Sequence, residues 1–400
     1  MKNFDMFEYT LIIAGFLVPL IFYERIFGLF TFSITEVAVL FMGVAFLIRV
    51  KKNNLNLKLS WNDKIFLALV IWVGLSLPLA IDGMKSLREF LWILESFLVF
   101  YMITHADLKR NQVKRLLRAW CYGAVLVSLI ALLQYYLSVQ SGRGPIRVNL
   151  PLRNSNLVAG FLIIYLPILV SQIYGKRKDQ RIFWAVLATL VSTALYLTYT
   201  RAGWYAAIIS ILILAGLLKD KKLVIALVVY LLIYNYGFPE VKGHKLSEIY
   251  NVVVEGGGRS LVARMQLWRV ALQMWLENPL TGVGVGNYIL LHDTYIANFP
   301  SLDYGLKKAM EPHSSFLKFL AEHGAIGLLL FLSLLFSFFF RLIKNIRNYE
   351  NGMKILSMGV FAGYMAFLAQ SNFNSLFQSP NVAFGMWLFL GLMIQVPKRT

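Results

Sequence analysis

Apolar residues run along this chain in blocks long enough to cross a lipid bilayer, and short polar or basic stretches separate them. Blocks of about twenty residues match the thickness of a hydrocarbon core, because a helix rises about 1.5 Å per residue. Windows of that length predict helices near 9–23, 32–49, 63–81, 86–104, 117–137, 156–174, 183–199, 202–218, 221–237, 324–341, 354–371 and 380–396. The pattern therefore predicts an all-α membrane protein of about 12 transmembrane helices. The first block is followed by no small-residue cleavage site and is read as a retained helix. One polar break, 238–312, is far longer than the others. Within it, 248–254 and 261–276 carry apolar residues at helical spacing, and Trp268 and Trp275 fall on one face. This loop is expected to pack short helices against the membrane surface. With no soluble domain or internal repeat legible, 1–400 reads as a single polytopic membrane domain.

Composition agrees with a lipid solvent: 58% of residues are hydrophobic and only 15% charged, a balance that a soluble domain of this length does not keep in solution. A net charge of +19 would point to nucleic acid in a soluble protein, but the basic residues cluster in alternate connections. They include Arg49, Lys51 and Lys52, then Lys109, Arg110, Lys114, Arg115 and Arg118, then Lys176, Arg177 and Lys178. The same side continues with Lys219, Lys221 and Lys222, then Arg341, Lys344 and Arg347. Because translocation disfavours Lys and Arg in short loops, this pattern predicts a polytopic inner-membrane protein with both termini cytoplasmic and loop 238–312 on the side away from the cytoplasm. No nucleic-acid partner is expected. The single cysteine, Cys121, excludes an intrachain disulfide and a cysteine-rich metal site.

Against that charge bias, Arg143, Arg147, Arg153, Arg201, Arg259 and Arg264 persist on the far side. The planar guanidinium pairs its donors with phosphate oxygens and stays charged at any accessible pH, so a diphosphate ligand would account for them. Contacts to lipid headgroups or helix ends are the alternative. Arg201 stands out, because it lies in a very short connection between two apolar spans, where a charge is costly unless paired. His313 follows Pro312 where the long loop returns to the membrane, and Pro312 is expected to set the first helical turn with His313 at the helix start. Neutral imidazole there could accept a proton near pH 7 or serve only as a hydrogen-bonding group. His292, His313 and His323 lack the spacing of a helical zinc pair, and no Asp-x-Asp occurs, so neither metal nor other cofactor is expected. Gly282, Gly284 and Gly286 read as a tight turn; with no Gly-Lys-Ser/Thr ending they do not suggest a nucleotide.

Thr200-Arg201-Ala202-Gly203-Trp204 followed by an apolar helix resembles the Arg-Ala/Ser-Gly-Trp signature of the O-antigen ligase and polymerase superfamily. Further pieces follow in that family's order: Ala263-Arg264-Met265-Gln266-Leu267-Trp268, Asn278-Pro279-Leu280-Thr281-Gly282-Val283-Gly284, and His313-Ser314-Ser315-Phe316-Leu317 running into Ala321-Glu322-His323-Gly324-Ala325-Ile326-Gly327. Arg153-Asn154-Ser155-Asn156 is similar to the family's Asn-rich approach to the preceding helix. The likeness spans 147–340; Ser314 departs from it, since relatives often carry Asn there. What the resemblance implies is a metal-independent, inverting glycosyltransferase using an undecaprenyl-diphosphate-linked glycan donor. Its acceptor would be lipid A-core for a ligase, or a second lipid-linked repeat for a polymerase. Arg201 and Arg264 would bind the donor diphosphate and His313 would be the base. Arg147, Arg153 and Arg259 are weaker candidates for the same anion or for acidic sugars. A lipid-linked-glycan transporter without chemistry would use the same helices. The expected partners are the donor, the acceptor and membrane lipids, with no nucleotide.

Overall fold

The computed structural model describes residues 5–20, 25–27, 30–32, 34–175, 178–237, 259–303, 305 and 309–395. Its elements are α1 (Met6–Leu17), a two-stranded antiparallel ribbon of β1 (Arg25–Phe27) and β2 (Phe30–Phe32), α2 (Ile34–Asn53), α3 (Trp61–Leu75), α4 (Gly83–Thr104) and α5 (Arg110–Gln140). There follow α6 (Ser155–Tyr174), α7 (Lys178–Leu197), α8 (Arg201–Leu218), α9 (Lys221–Gly237), α10 (Arg259–Glu277), α11 (Tyr288–Asn298), α12 (Ser315–Asn348), α13 (Asn351–Ser371) and α14 (Pro380–Gln395). Side-chain oxygens start many of these helices by accepting from otherwise unpaired N–H groups. Ser60 and Asp63 form a reciprocal capping box at α3, Asp82 caps α4 and Asn154 caps α6.

The all-α character agrees with the hydropathy pattern apart from the small ribbon, but the number of spans does not. Among the described residues seven helices are long and apolar enough to cross a membrane: α3 with its short extension to Leu79, α5, α6, α7 from Gln180, α8, α12 and α13. Of the remaining apolar blocks, α1 has 12 residues, α14 has 16 and α9 has 17. At about 1.5 Å per residue they fall short of a hydrocarbon core about 30 Å thick. The two others are long enough but too charged: α2 holds Glu36, Arg49, Lys51 and Lys52, and α4 holds Lys85, Arg88, Glu89 and Glu95. A hydropathy window counts an apolar block as a span whatever turn residues it averages in and however short the helix proves to be. Of the two helices expected in the long loop, 261–276 lies inside α10, and 248–254 lies outside the described residues.

The core centres on α6, whose side chains are buried nearly all round, from Val158 to Val170. Helix α13 crosses it closely. A Cβ added to Gly363 would sit 2.4 Å from the Ile164 carbonyl oxygen, and one added to Gly359 would sit 2.5 Å from Ser171 Oγ. Small residues four apart thus let two backbones meet where lipid supplies no hydrophobic drive for helix association. Outward faces stay apolar, as with Leu40, Phe41, Val44 and Leu47 on α2, an exposure suited to hydrocarbon rather than to water.

Candidate functional site

Three helix ends and one extended connection assemble the arginines. The segment between α5 and α6 is pinned to the end of α7, where Val148 N–H donates to the Leu197 carbonyl (3.1 Å). Arg147 is held on the same surface: its Nε donates to Thr198 O (2.8 Å), and its Nη2 donates to Asn156 Oδ1 (2.7 Å) and Thr200 Oγ1 (3.1 Å). Thr200 is the N-cap of α8, so Arg201 is its first helical residue, exposed at the mouth of the site. The rest of the Arg-Ala-Gly-Trp stretch fixes that turn. A Cβ on Gly203 would lie 2.9 Å from Ala159 Cβ of α6, and Trp204 stacks on Tyr196 of α7 with ring centres 5.0 Å apart.

Arg264 approaches from α10 and is half-buried. Burial, and then the charge of Arg201, holds the Arg147 guanidinium below its ordinary pKa. Arg264 is lowered by burial first and then by both Arg201 and Arg147. Among the described residues neither Arg147 nor Arg264 has an ion-pair partner; Arg147 feels the charge of Arg201, and Arg264 that of both. Such a cluster is stabilised by an anion carrying several oxygens.

His313 joins the cluster from the other side, in a manner the sequence pattern did not anticipate. The helix begins at Ser315, not at Pro312: Ser314 is the N-cap, and its side chain accepts from Leu317 N–H (3.3 Å). His313 therefore precedes the helix, with a left-handed backbone (φ 49°), and Pro312 uses its carbonyl to accept Trp268 Nε1–H (2.9 Å). The expected placement of His313 in the first helical turn is thus corrected, because Ser314 takes the capping role that ends the loop. Ser and Asn cap about equally well, which makes Ser314 a mild departure from the family pattern. Burial and the nearby Arg264 charge lower the His313 pKa, with Glu311 opposing, so the imidazole is neutral at pH 7 and able to take a proton.

The structure thus brings Arg147, Arg201, Arg264 and His313 together. It does not bring in Arg153, exposed with a left-handed backbone (φ 54°), nor Arg143, whose Nε donates to Ser141 Oγ (3.0 Å) at the surface. The Arg259 side chain lies outside the described residues.

Two features of the site's frame were not legible beforehand. Helix α12 breaks at Gly324 (φ 64°, ψ −167°), and the turn after α10 docks into the break. Val283 and Gly284 N–H donate to the Ala321 and Glu322 carbonyls (2.9 Å each), while Ala325 N–H donates to Pro279 O (2.8 Å). Trp72 Nε1–H takes the His323 carbonyl at 3.0 Å. Groups freed by the break are therefore satisfied inside protein, the condition for irregular backbone within a membrane span. Only glycine fits: a Cβ on Gly324 would sit 2.3 Å from the Leu280 carbonyl, and one on Gly282 would sit 2.4 Å from the Glu322 carbonyl carbon. The glycine-rich stretch is a docking turn, not a phosphate loop.

The second feature is Lys318, buried one turn into α12. Its Nζ lies 2.9 Å from Glu89 Oε2 of α4, 2.9 Å from Glu311 Oε2 and 3.9 Å from Glu322 Oε1. Glu311 stands two residues before His313, so this buried ion cluster anchors the histidine-bearing segment. An ionisable pair four residues apart at the head of an apolar helix, Lys318 and Glu322, was the sequence signal that could have revealed it.

Comparison with known proteins bears on the same residues. The profile of the family described as O-antigen ligase matches residues 184–332, a stretch containing Arg201, Arg264 and His313. A "Putative polysaccharide ligase" of Rickettsia felis is 23% identical over 364 residues, covering 88% of this chain and 84% of that protein. A second protein of that description, from Rickettsia conorii, is 22% identical over 344 residues, covering 81% and 77%.

Proposed function

We propose that this chain, which belongs to the O-antigen ligase superfamily, transfers a glycan from undecaprenyl diphosphate to lipid A-core at the periplasmic face of the inner membrane. The observation that carries the reading is that Arg147 is bonded to Thr198 and to Thr200, the N-cap beside Arg201, with the charges of both arginines reaching Arg264 and that of Arg264 reaching His313. A diphosphate needs the arginines and a hydroxyl nucleophile needs the histidine.

In this reading an acceptor hydroxyl oxygen attacks the donor's anomeric carbon from the side opposite the diphosphate. The new C–O bond forms as the old one breaks, with inversion, and His313 takes the hydroxyl proton. Arg201 and Arg264 stabilise the charge growing on the departing lipid diphosphate, and Arg147 fixes the wall behind them. Three preorganised guanidiniums supply the positive charge that a divalent cation supplies elsewhere, so transfer should continue in excess chelator.

The test is to incubate purified protein with undecaprenyl-diphosphate-linked glycan, with and without lipid A-core, and identify the products. Glycan on lipid A-core is the expected outcome. Lengthened lipid-linked glycan in its place would make the protein a polymerase, and movement of donor across vesicles with no new glycosidic bond would make it a transporter.

A further inference from the structure

At the end of the bundle remote from these arginines two cavities adjoin, one of about 120 Å³ between α5, α6 and α13 and one of about 220 Å³ between α5 and the connection from α12 to α13, and they share Lys114 and Gly352. Helix α5 separates them from the arginine site: from Lys114 to Gln134, whose side chain bonds Asn149 beside Arg147, it rises about 30 Å. Either cavity is several times larger than the roughly 10–15 Å³ that one water requires.

The lining is cationic. Lys114 and Arg118 stand one turn apart on α5 and face the smaller cavity, which among the described residues no carboxylate lines. Among the described residues neither makes an ion pair. Arg110, one turn earlier, lines the larger cavity with Glu350, the single carboxylate there among the described residues. Gln172 of α6 also faces the smaller cavity; it is only 9% exposed, and among the described residues no group hydrogen-bonds its side chain. Gly352 belongs to the first turn of α13, whose N-cap Glu350 makes no side-chain capping hydrogen bond, and this helix N-terminus borders the space. At the smaller cavity two cations and a buried amide converge, with the helix N-terminus at its edge and Glu350 confined to the larger cavity, a donor set that binds a phosphate group.

We propose that this cavity holds the phosphate of an anionic phospholipid from the leaflet opposite the transfer site. A lipid is favoured over a soluble phosphate by what continues from it. Below Arg118, α5 presents Tyr122, Leu126, Leu129 and Leu133, all more than one-third exposed and spaced to form one stripe. A headgroup seated on Lys114, Arg118 and Gln172 leaves its acyl chains against that stripe. The site clamps the charged end of α5 to α6 and α13, the core pair against which α8 and its Arg201 pack.

The full-length protein would be purified into nanodiscs of phosphatidylcholine alone or with about one-fifth phosphatidylglycerol, and lipid retention read by native mass spectrometry alongside melting temperature. Phosphatidylglycerol should be retained and should raise the melting temperature, whereas Lys114→Gln combined with Arg118→Gln should weaken retention roughly thirty-fold and abolish the rise. Equal retention of both lipids by the parent protein, or an undiminished preference in the double variant, would overturn the proposal. So would stabilisation by millimolar inorganic phosphate in pure phosphatidylcholine discs equal to that by the anionic lipid. Should the double variant not fold, titration of parent nanodiscs with short-chain phosphatidylglycerol against inorganic phosphate decides the matter by the same criteria.

Discussion

Two cationic regions lie on either side of His313 and treat charge in opposite ways. At Lys318 one ammonium is buried among Glu89, Glu311 and Glu322, so the positive charge is already answered by protein. At Arg147, Arg201 and Arg264 positive charge acts on positive charge, and the carboxylates that would answer two of them are absent among the described residues. The first arrangement is structural chemistry, because a buried ion needs its partners to be present at all times. The second suits the proposed binding of a diphosphate, because an exchangeable anion rather than a fixed carboxylate would answer the charge. Glu311 and His313, two residues apart, link the regions.

Variants can break that contrast, and the largest effects are expected at the histidine. His313→Ala should lower glycan transfer by about 10²–10⁴-fold, the range for loss of a general base, while leaving the melting temperature near that of the parent. Parental rates across pH 6–8 would remove His313 from the mechanism. Arg201→Ala and Arg264→Ala should each cost about 30- to several-thousand-fold in turnover, again with little loss of stability. Loss of folding without a selective loss of transfer would put these arginines in the structural class beside Lys318. Lys318→Met should do the reverse. It leaves three carboxylates around an uncharged side chain and should cost about 3–5 kcal/mol in stability, read by denaturation in a fixed detergent.

A smaller effect sharpens the link between the regions. The His313 pKa is lowered by burial and by Arg264, so the base stays neutral as pH falls through the ordinary imidazole value, and the acid limb of the transfer rate should lie below it. Removing the Arg264 charge favours imidazolium, so the residual activity of Arg264→Ala should have its acid limb shifted to higher pH. An unshifted limb would separate Arg264 from His313. The smallest change is expected from Ser314→Ala, which removes the N-cap of α12 and should cost about 1 kcal/mol; Ser314→Asn should be nearly neutral.

Much of this was legible in the residues because helix length and charge placement are local properties. Arg201, Arg264 and His313 stood out in short motifs, and the profile match covers all three. Hydropathy misjudged the number of spans, since an apolar block says nothing of where its helix is capped or broken: α1 stops at Leu17, and α4 carries four charges within its length. Arg147 was visible only as one loop arginine among several. Its connections to Thr198, Thr200 and Asn156, residues 9 to 53 positions away, belong to the packing of three helix ends.

The sequence by itself determined that this chain is helical and apolar, with arginines at one set of helix ends and a histidine at the return of the long loop. Those features depend on neighbouring residues, through periodicity, capping and the cost of charge in lipid. Only the tertiary structure decided which arginines share a site, that Lys318 gathers carboxylates from α4 and from the loop before His313, and that α12 opens at Gly324 to receive the turn after α10. Each of these joins residues far apart in the chain, and a buried charge or an opened helix is stable only when a distant partner completes it.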